Sequence, residues 1–427
     1  MGIIELSADH RLDLPSSSGI AGHVVPLATS LPRRADGHRL PNILVISPSG
    51  QVYDHDNVRW YADFVNSIEH YHNIGDAFVF DSSLKLLEFD RLDVCDIQTV
   101  KPGDVERYNT EYDYVFLRGS NYIHAEMDWE NAEAVLPKLK IPILAFGVGA
   151  QAPAKGKLEL SPRGRRIWQL ISDHSTTLGV RGAYTAEVLW EIGVRNVRVV
   201  GCPTAFRNNN PELRIDLPQL ESVRKVGFTV RREVSKTYSP DIAKYLTRHR
   251  DIIKTMASRF DVTLMMQGEV EEKKLISGNE QQKREAWDSL KSNAWCAEWF
   301  FDRELDEIYG DKLFYSDVVA DYEALVRRKD LVLGYRLHGN LMALANAVPS
   351  IYFVYDSRTA EFCETFGIPS YDVYSDKELI LEEYWDQSRF ERFNRAYYAR
   401  YRDMRDFLVE NGIANKMKAP KQYTRAA

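Results

Sequence analysis

Two short stretches of this chain place an arginine where an apolar run gives way to a helical pattern. Gly334-Tyr335-Arg336-Leu337-His338-Gly339 follows Leu331-Val332-Leu333 and precedes the helical run Asn340–Asn346. Gly179-Val180-Arg181-Gly182 closes the run that starts at Thr177 and opens a helix from about Ala183 to Ile192, which stops at Gly193. The N–H groups at such a helix start carry partial positive charge, and an adjacent guanidinium makes the spot fit for a phosphate or carboxylate. Taken alone, Arg181 could equally be tied to a nearby carboxylate. His338, two residues from Arg336, adds the capacity to move a proton near neutral pH. Of ten histidines it alone stands in an Arg-x-His loop that opens a helix.

Three further glycine-bearing stretches point to the same kind of edge. Asn73-Ile74-Gly75-Asp76 opens the helical run Ala77–Leu87, with Asn and Asp also suited to capping it. Arg118-Gly119-Ser120-Asn121 and Gly147-Val148-Gly149-Ala150-Gln151 each end an apolar run and place backbone amides at a sheet edge. Candidate cleft or acceptor contacts are therefore Asn73, Gly75, Asp76, Ser120, Asn121, Gln151, Arg231 and Asp356. Neither GxGxxG nor GxxxxGKS/T occurs, so neither a dinucleotide site nor a P-loop is supported.

The elements that must position these groups alternate. Ile43–Ser47, Tyr114–Leu117, Ile143–Phe146, Thr177–Val180 and Val197–Val200 are short apolar runs, as expected of buried parallel strands. Ser47 is followed by the turn Pro48-Ser49-Gly50. Helical stretches lie between them, one starting at Ser161-Pro162 with serine as cap and proline at the first helical position. The series restarts after Asn208-Asn209-Asn210-Pro211 and Pro218, with strands at Val226–Val230, Val262–Met266, Leu313–Tyr315, Leu331–Leu333 and Ile351–Val354. Such alternation predicts doubly wound α/β domains. We expect an N-terminal arm over 1–41, a first Rossmann-like domain over 42–206, a linker over 207–222 and a second Rossmann-like domain over 223–380. The second domain carries a charged, helical insertion at 268–310. A C-terminal helix at 381–412 and a basic tail at 413–427 complete the chain. Six arginines and four acidic residues between Arg389 and Glu410 leave that helix only slightly basic, so it should pack on the body.

Composition sets the outer bounds. At 427 residues the chain is too long for one ordinary core. A net charge of −7 argues against a general nucleic-acid binder but leaves room for a local arginine cluster. Cys95, Cys202, Cys296 and Cys363 are far apart, which suggests neither a zinc site nor a disulfide framework and favours a reducing cytoplasm. The first forty residues lack the order of a signal peptide. No window reaches the roughly 18 apolar residues of a membrane span.

Together the motifs resemble those of the polysaccharide pyruvyl transferase family over roughly residues 42–380. Asn73-Ile74-Gly75-Asp76 is similar to its NxGD element, and Asp113–Ile123 to its strand ending in a glycine-rich loop. Arg181-Gly182 with Thr185, Leu189 and Gly193 resembles its RGxxT/SxxxLxxxG pattern, and Val200-Gly201-Cys202-Pro203 the turn after it. Arg336-Leu337-His338 with Pro349 and Asp356 resembles its RLH segment. Arg118 stands where members commonly have glycine.

The resemblance implies a GT-B-like fold, two Rossmann-type doubly wound domains facing a cleft. It implies phosphoenolpyruvate as donor, with Arg181, Arg336, Leu337 and His338 binding it and His338 at the reacting centre. No cofactor, metal or nucleotide is expected. The acceptor would be a saccharide, free or lipid-linked, of a cell-surface polysaccharide or its precursor. The enzyme would lie in the cytoplasm, with room for a peripheral place on the inner face of the membrane. A GT-B nucleotide-sugar glycosyltransferase, or a sugar-binding protein without activity, would share the architecture.

Overall fold

The computed structural model describes residues 39–46, 51–54, 57–60, 64–235 and 238–421. Almost all of the expected arm, the Pro48-Ser49-Gly50 turn and the end of the basic tail lie outside the described residues. β1 (Asn42–Ile46) is followed by an antiparallel hairpin, β2 (Gln51–Asp54) and β3 (Asn57–Trp60). Then come β4 (Arg91–Cys95), β5 (Tyr114–Arg118), β6 (Ile143–Val148), β7 (Leu178–Val180) and β8 (Val197–Val199). These six long-range strands form one parallel sheet in the order β4-β1-β5-β6-β7-β8. A second parallel sheet takes β9 (Lys225–Thr229), β10 (Asp261–Met265), β11 (Leu313–Phe314), β12 (Leu331–Gly334), β13 (Ser350–Val354) and β14 (Ser370–Asp372). Its order is β11-β10-β9-β12-β13-β14. The architecture is two Rossmann-like α/β units, as the alternation of apolar runs predicts.

The inner strands β5 and β6 are buried along their whole length because helices cover both faces of each sheet. β4 is not among the expected strands, and its residues show why. An edge strand needs no continuous apolar run, and Arg91 and Asp93 pair with each other at 2.6 Å while Tyr112 donates to Asp93 at 2.7 Å.

Each sheet reverses its strand order once, between β1 and β5 in the first and between β9 and β12 in the second. Ligands of open α/β sheets bind at the carboxyl ends of strands beside such reversals. Two helices begin there: Ile74–Leu86 in the first unit and Leu337–Ala345 in the second. Both are buried nearly all round, and they pack on one another, so the two cores are continuous between the units.

The 207–222 segment is fixed, not loose. Arg207 is fully buried and lies 2.8 Å from Asp81, 2.7 Å from Glu323 and 2.7 Å from the Ser82 hydroxyl. Further on, Ile215 N–H donates to Asn394 on the final helix, Gln387–Glu410. That helix runs back to the first sheet, where Arg198 pairs with Glu410 and Phe407 packs on Phe146. The 268–310 segment contains the helices Val270–Ser277, Glu280–Ser292 and Arg303–Lys312, with a π turn at Cys296–Phe300. Among the described residues no helix is long and apolar enough to cross a membrane.

One buried group in the second core costs stability. His249 sits among Phe228, Tyr245, Phe300 and Tyr335, and neither ring nitrogen has a hydrogen-bond partner among the described residues. Burial, then the Arg336 charge, presses its pKa well below the usual value. The unfolded chain therefore binds more protons once pH drops below about 6.5, and folding stability falls with it. His249→Phe should gain about 1–3 kcal/mol at pH 7.5 by removing the unsatisfied nitrogens. In urea titrations it should also lose less stability than wild type between pH 7.5 and 5.5.

Candidate functional site

The turn after β12 is built on a close backbone approach. Gly334 has φ +131°, and a Cβ there would stand 2.5 Å from the Thr229 carbonyl oxygen on β9. The next helix then begins at Leu337, three residues earlier than the sequence suggests, so His338 lies in its first turn. Arg336 precedes the helix. Its N–H donates to Thr229 Oγ1 at 3.1 Å, its Nε to the Val230 carbonyl at 2.9 Å, and its Nη2 to Glu269. Burial opposes the Arg336 cation, but Glu269 together with Tyr71 and Tyr355 more than offsets this, and the pKa stands well above its usual value. Burial likewise opposes the Glu269 carboxylate, and Arg336, main-chain N–H groups and Arg232 together hold it below the usual range. This pair is satisfied within the protein. Leu337 belongs to the core, and its carbonyl accepts from Tyr352 OH at 2.9 Å.

His338 is in the opposite condition. It is 5% exposed, and its Nε2 has no hydrogen-bond partner among the described residues. Burial and then the guanidiniums of Arg181, Arg118 and Arg358 push its pKa well below the usual value, so it is neutral at pH 7. Its Nδ1 faces Gly75: a Cβ at that position would lie 3.1 Å from Nδ1 and 3.0 Å from Gln267 Oε1. A side chain here would press on the histidine and Gln267 and force them to shift by a few tenths of an ångström.

The first unit supplies the rest of that wall. Asn73 caps the helix Ile74–Leu86 by accepting from Gly75 N–H at 3.0 Å, and Ile74 N–H donates across the cleft to the Gln267 carbonyl at 2.8 Å. Asp76 accepts from Ser120 Oγ at 3.1 Å and stands 3.6 Å from Arg118. Arg118 ends β5 and is buried, with its Nε unpartnered among the described residues. Arg181, at the end of β7, is fully buried. It donates to Asn121, reaches the Gly147 carbonyl at 3.5 Å and lies 4.9 Å above the Phe362 ring. Its Nε too is unpartnered among the described residues, and burial lowers its pKa, the mark of a cation short of counter-charge.

The helix start after Arg181 is not an open anion site, contrary to the sequence expectation. Thr185 N–H and Oγ1 donate to Glu361 at 2.7 and 2.9 Å, so a carboxylate of the second unit already sits there. The sequence signal was sound for an anion, but the protein provides its own.

From the second unit, Asp356 caps the helix Ser357–Phe366 through Thr359 N–H at 2.9 Å and also holds Arg358, which donates to Gln151 at 3.2 Å. Arg231 lies apart from His338. It donates to Tyr355 OH at 2.6 Å, lies 4.6 Å over Tyr238, and shares its surroundings with Arg336. The structure thus gathers His338, Arg181, Asn121, Gly75, Asp76 and Ser120, while Asn73, Gln151 and Asp356 support them from one step away. Arg336 and Arg231 form an adjoining patch. Arg118, Arg358 and Glu361 were not among the candidates. Arg118 was visible as a cation at the end of an apolar strand, whereas nothing local marks Arg358 or Glu361. Among the described residues no cluster of His, Cys, Asp or Glu could hold a metal ion. Buried guanidiniums can bind a small, multiply charged anion, whose charge lets the neighbouring imidazole take up a proton and pass it on.

A family model described as polysaccharide pyruvyl transferase matches residues 41–357. No curated protein matches the chain. Among solved structures, HepE from Anabaena in complex with UDP and glucose is 12% identical, covering 87% of this chain and 97% of that one, with a TM-score of 0.45. UDP-N-acetylglucosamine 2-epimerase from Rickettsia bellii is 12% identical with the same coverages and a TM-score of 0.41. S. aureus MnaA, solved with UDP, is 12% identical over 78% of this chain and 85% of that one, with a TM-score of 0.37.

Proposed function

The chain belongs to the polysaccharide pyruvyl transferase family, and from that premise we propose that it transfers the pyruvyl carbons of phosphoenolpyruvate to a saccharide as a ketal. One observation carries the donor assignment: three guanidiniums act on His338, and Arg118 Nε, Arg181 Nε and His338 Nε2 are buried without partners among the described residues. Phosphoenolpyruvate, with a carboxylate and a phosphate, brings the charge and the acceptor oxygens that these groups lack. Arg118 and Arg181 bind it in this reading, beside Arg358, which Asp356 already holds. Arg336, already paired with Glu269, shapes the turn that presents His338.

The chemistry needs a proton on carbon and one removed from each of two hydroxyls. Protonation of the enol CH2 makes a methyl group and leaves C2 electrophilic. One sugar hydroxyl adds to C2, the C2–O bond to phosphate breaks, and a neighbouring hydroxyl closes the ketal. The two hydroxyl protons balance the one gained by carbon and one released with phosphate. His338 is neutral in the free protein, and the donor's negative charge offsets the surrounding arginines. Donor binding therefore raises the His338 pKa and equips it as the acid.

The test is calorimetric titration with phosphoenolpyruvate. Arg181→Ala and Arg118→Ala should each weaken binding about 10- to 150-fold, the effect of losing one charge-assisted contact. The melting midpoint of Arg181→Ala should change little, because it removes a buried cation short of counter-charge, whereas Arg118→Ala also takes a partner from Asp76 and should lower the midpoint modestly. Arg336→Ala should instead lower the midpoint, because it strands Glu269. Wild-type affinity in both Arg181→Ala and Arg118→Ala would overturn the donor site.

A further inference from the structure

The first helix of the 268–310 insertion, Val270–Ser277, carries a buried lysine whose ammonium is turned to the first unit. Lys273 Nζ donates to the carbonyls of Ser67 at 2.8 Å and His70 at 2.6 Å, both in the first unit, and lies 5.0 Å over the Tyr315 ring. Neighbouring contacts run the same way. Tyr315 OH and Ser67 Oγ are 2.9 Å apart, Lys274 pairs with Glu69 at 3.1 Å, and Gln282 donates to Glu69 at 3.2 Å. The Tyr71 ring covers Gly268, where a Cβ would be 3.2 Å away, and Ile74 N–H reaches the Gln267 carbonyl. Residues 67–74 thus form a strap from the first unit laid along the insertion; Gly75 follows it directly onto His338, and Asp76 onto Arg118 and Ser120.

We propose that Lys273 is a positioning residue: it fastens this strap to the insertion and so holds Gly75 in register against His338 and Asp76 against Arg118. The assignment of His338 to proton transfer is the reading given above; the clasp itself stands on the contacts alone. A main-chain carbonyl pair is a fitting partner for an ammonium because it satisfies two donors without adding a counter-charge. Nor can the strap make this contact through its own sequence, since the acceptors are backbone atoms. The groups facing Lys273 are Glu269 and Glu272 at its own end of the helix, Glu233 from the loop after β9, Asp317 after β11, and His70 and His72 on the strap. Burial lowers its pKa to about 8 against those carboxylates. The charged clasp is therefore present at pH 7 and is lost as pH rises through 8.

Lys273→Met, which keeps the length and removes the charge, separates the clasp from general stability. Global stability should change little, because the cost of burying the ammonium is removed while two carbonyls lose their donor. Amide hydrogen exchange over residues 67–76 should nevertheless quicken at least about tenfold, the loss of two charge-assisted bonds. Tyr315→Phe, which removes only the bond to Ser67, should give a smaller change in the same segment. Phosphate release from phosphoenolpyruvate should fall about 100-fold in Lys273→Met, a typical cost of misplacing a group by 1 Å. Donor affinity by calorimetry should stay within about twofold. Wild-type turnover should also decline above about pH 8, and the variant should lack that decline. Unchanged exchange over 67–76 would overturn the clasp, and faster exchange with wild-type turnover would overturn its positioning role. If the wild type releases no phosphate from phosphoenolpyruvate, the donor reading fails, while the exchange result still decides the clasp.

Discussion

His338→Gln is expected to reduce turnover by 10²–10⁴-fold, about 2.7–5.5 kcal/mol of barrier, while donor affinity and melting midpoint stay near wild type. Glutamine can hydrogen-bond in the same space but cannot carry the proton. The imidazole has no partner for Nε2 among the described residues, so its replacement strands nothing. A second reading of the same variant is independent of turnover. Burial, and then three arginines, keep His338 neutral in the free protein; a bound anion offsets the arginines, so donor binding at pH 7 should take up a proton in wild type. Calorimetry in buffers of different ionisation enthalpy measures that uptake directly. His338→Gln should abolish it. A Gln variant with normal turnover and normal proton uptake would move the acid elsewhere, with Asp76, 3.6 Å from Arg118, next to be tested.

Arg207→Ala is expected to cost about 3–5 kcal/mol of folding stability, the largest loss foreseen for any single change outside the cleft. The reason is what it leaves behind. Asp81 on the helix Ile74–Leu86 and Glu323 on the helix Val319–Val326 come from different units, are both buried, and meet at this one guanidinium. Lys85, 3.7 and 3.8 Å from the same two carboxylates, is partly exposed and makes up only part of the charge. Burial by itself would raise the Glu323 carboxyl, yet Arg207 brings it down to about 2. Its stabilising effect is therefore full above the usual carboxylate pKa of about 4.3 and is lost as pH falls toward 2. Urea titrations from pH 7 to pH 3 should show that acid-side loss in wild type and a flatter profile in Arg207→Ala.

Much of the site was legible in the chain because its geometry is local. A buried strand must be apolar on both faces, so Tyr114–Arg118, Ile143–Val148 and Leu331–Gly334 declare themselves. A strand end followed by glycine and a helix start has few backbone solutions, so Arg181 and His338 could be placed at a cleft from sequence alone. Edge strands escape this logic. β4 carries Arg91 and Asp93 because one of its sides lacks a neighbouring strand, and β14 has only three residues.

What the sequence determined by itself is the repeated strand–turn–helix unit and the residue types offered at its carboxyl edge, since both follow from burial periodicity and backbone sterics over a few residues. What only the tertiary structure decided is which of those charges remain available. Arg336 and Arg181 look alike as arginines after a strand, yet one is matched by Glu269, 67 positions away, and the other has a guanidinium nitrogen without a partner among the described residues. Glu361 fills the anion site that Gly182 opens, from 176 positions beyond Thr185. The physical reason is that a charge in a low-dielectric cleft is set by the few groups within several ångströms. Which groups those are depends on how two separately folded sheets are set face to face, and no local pattern encodes that.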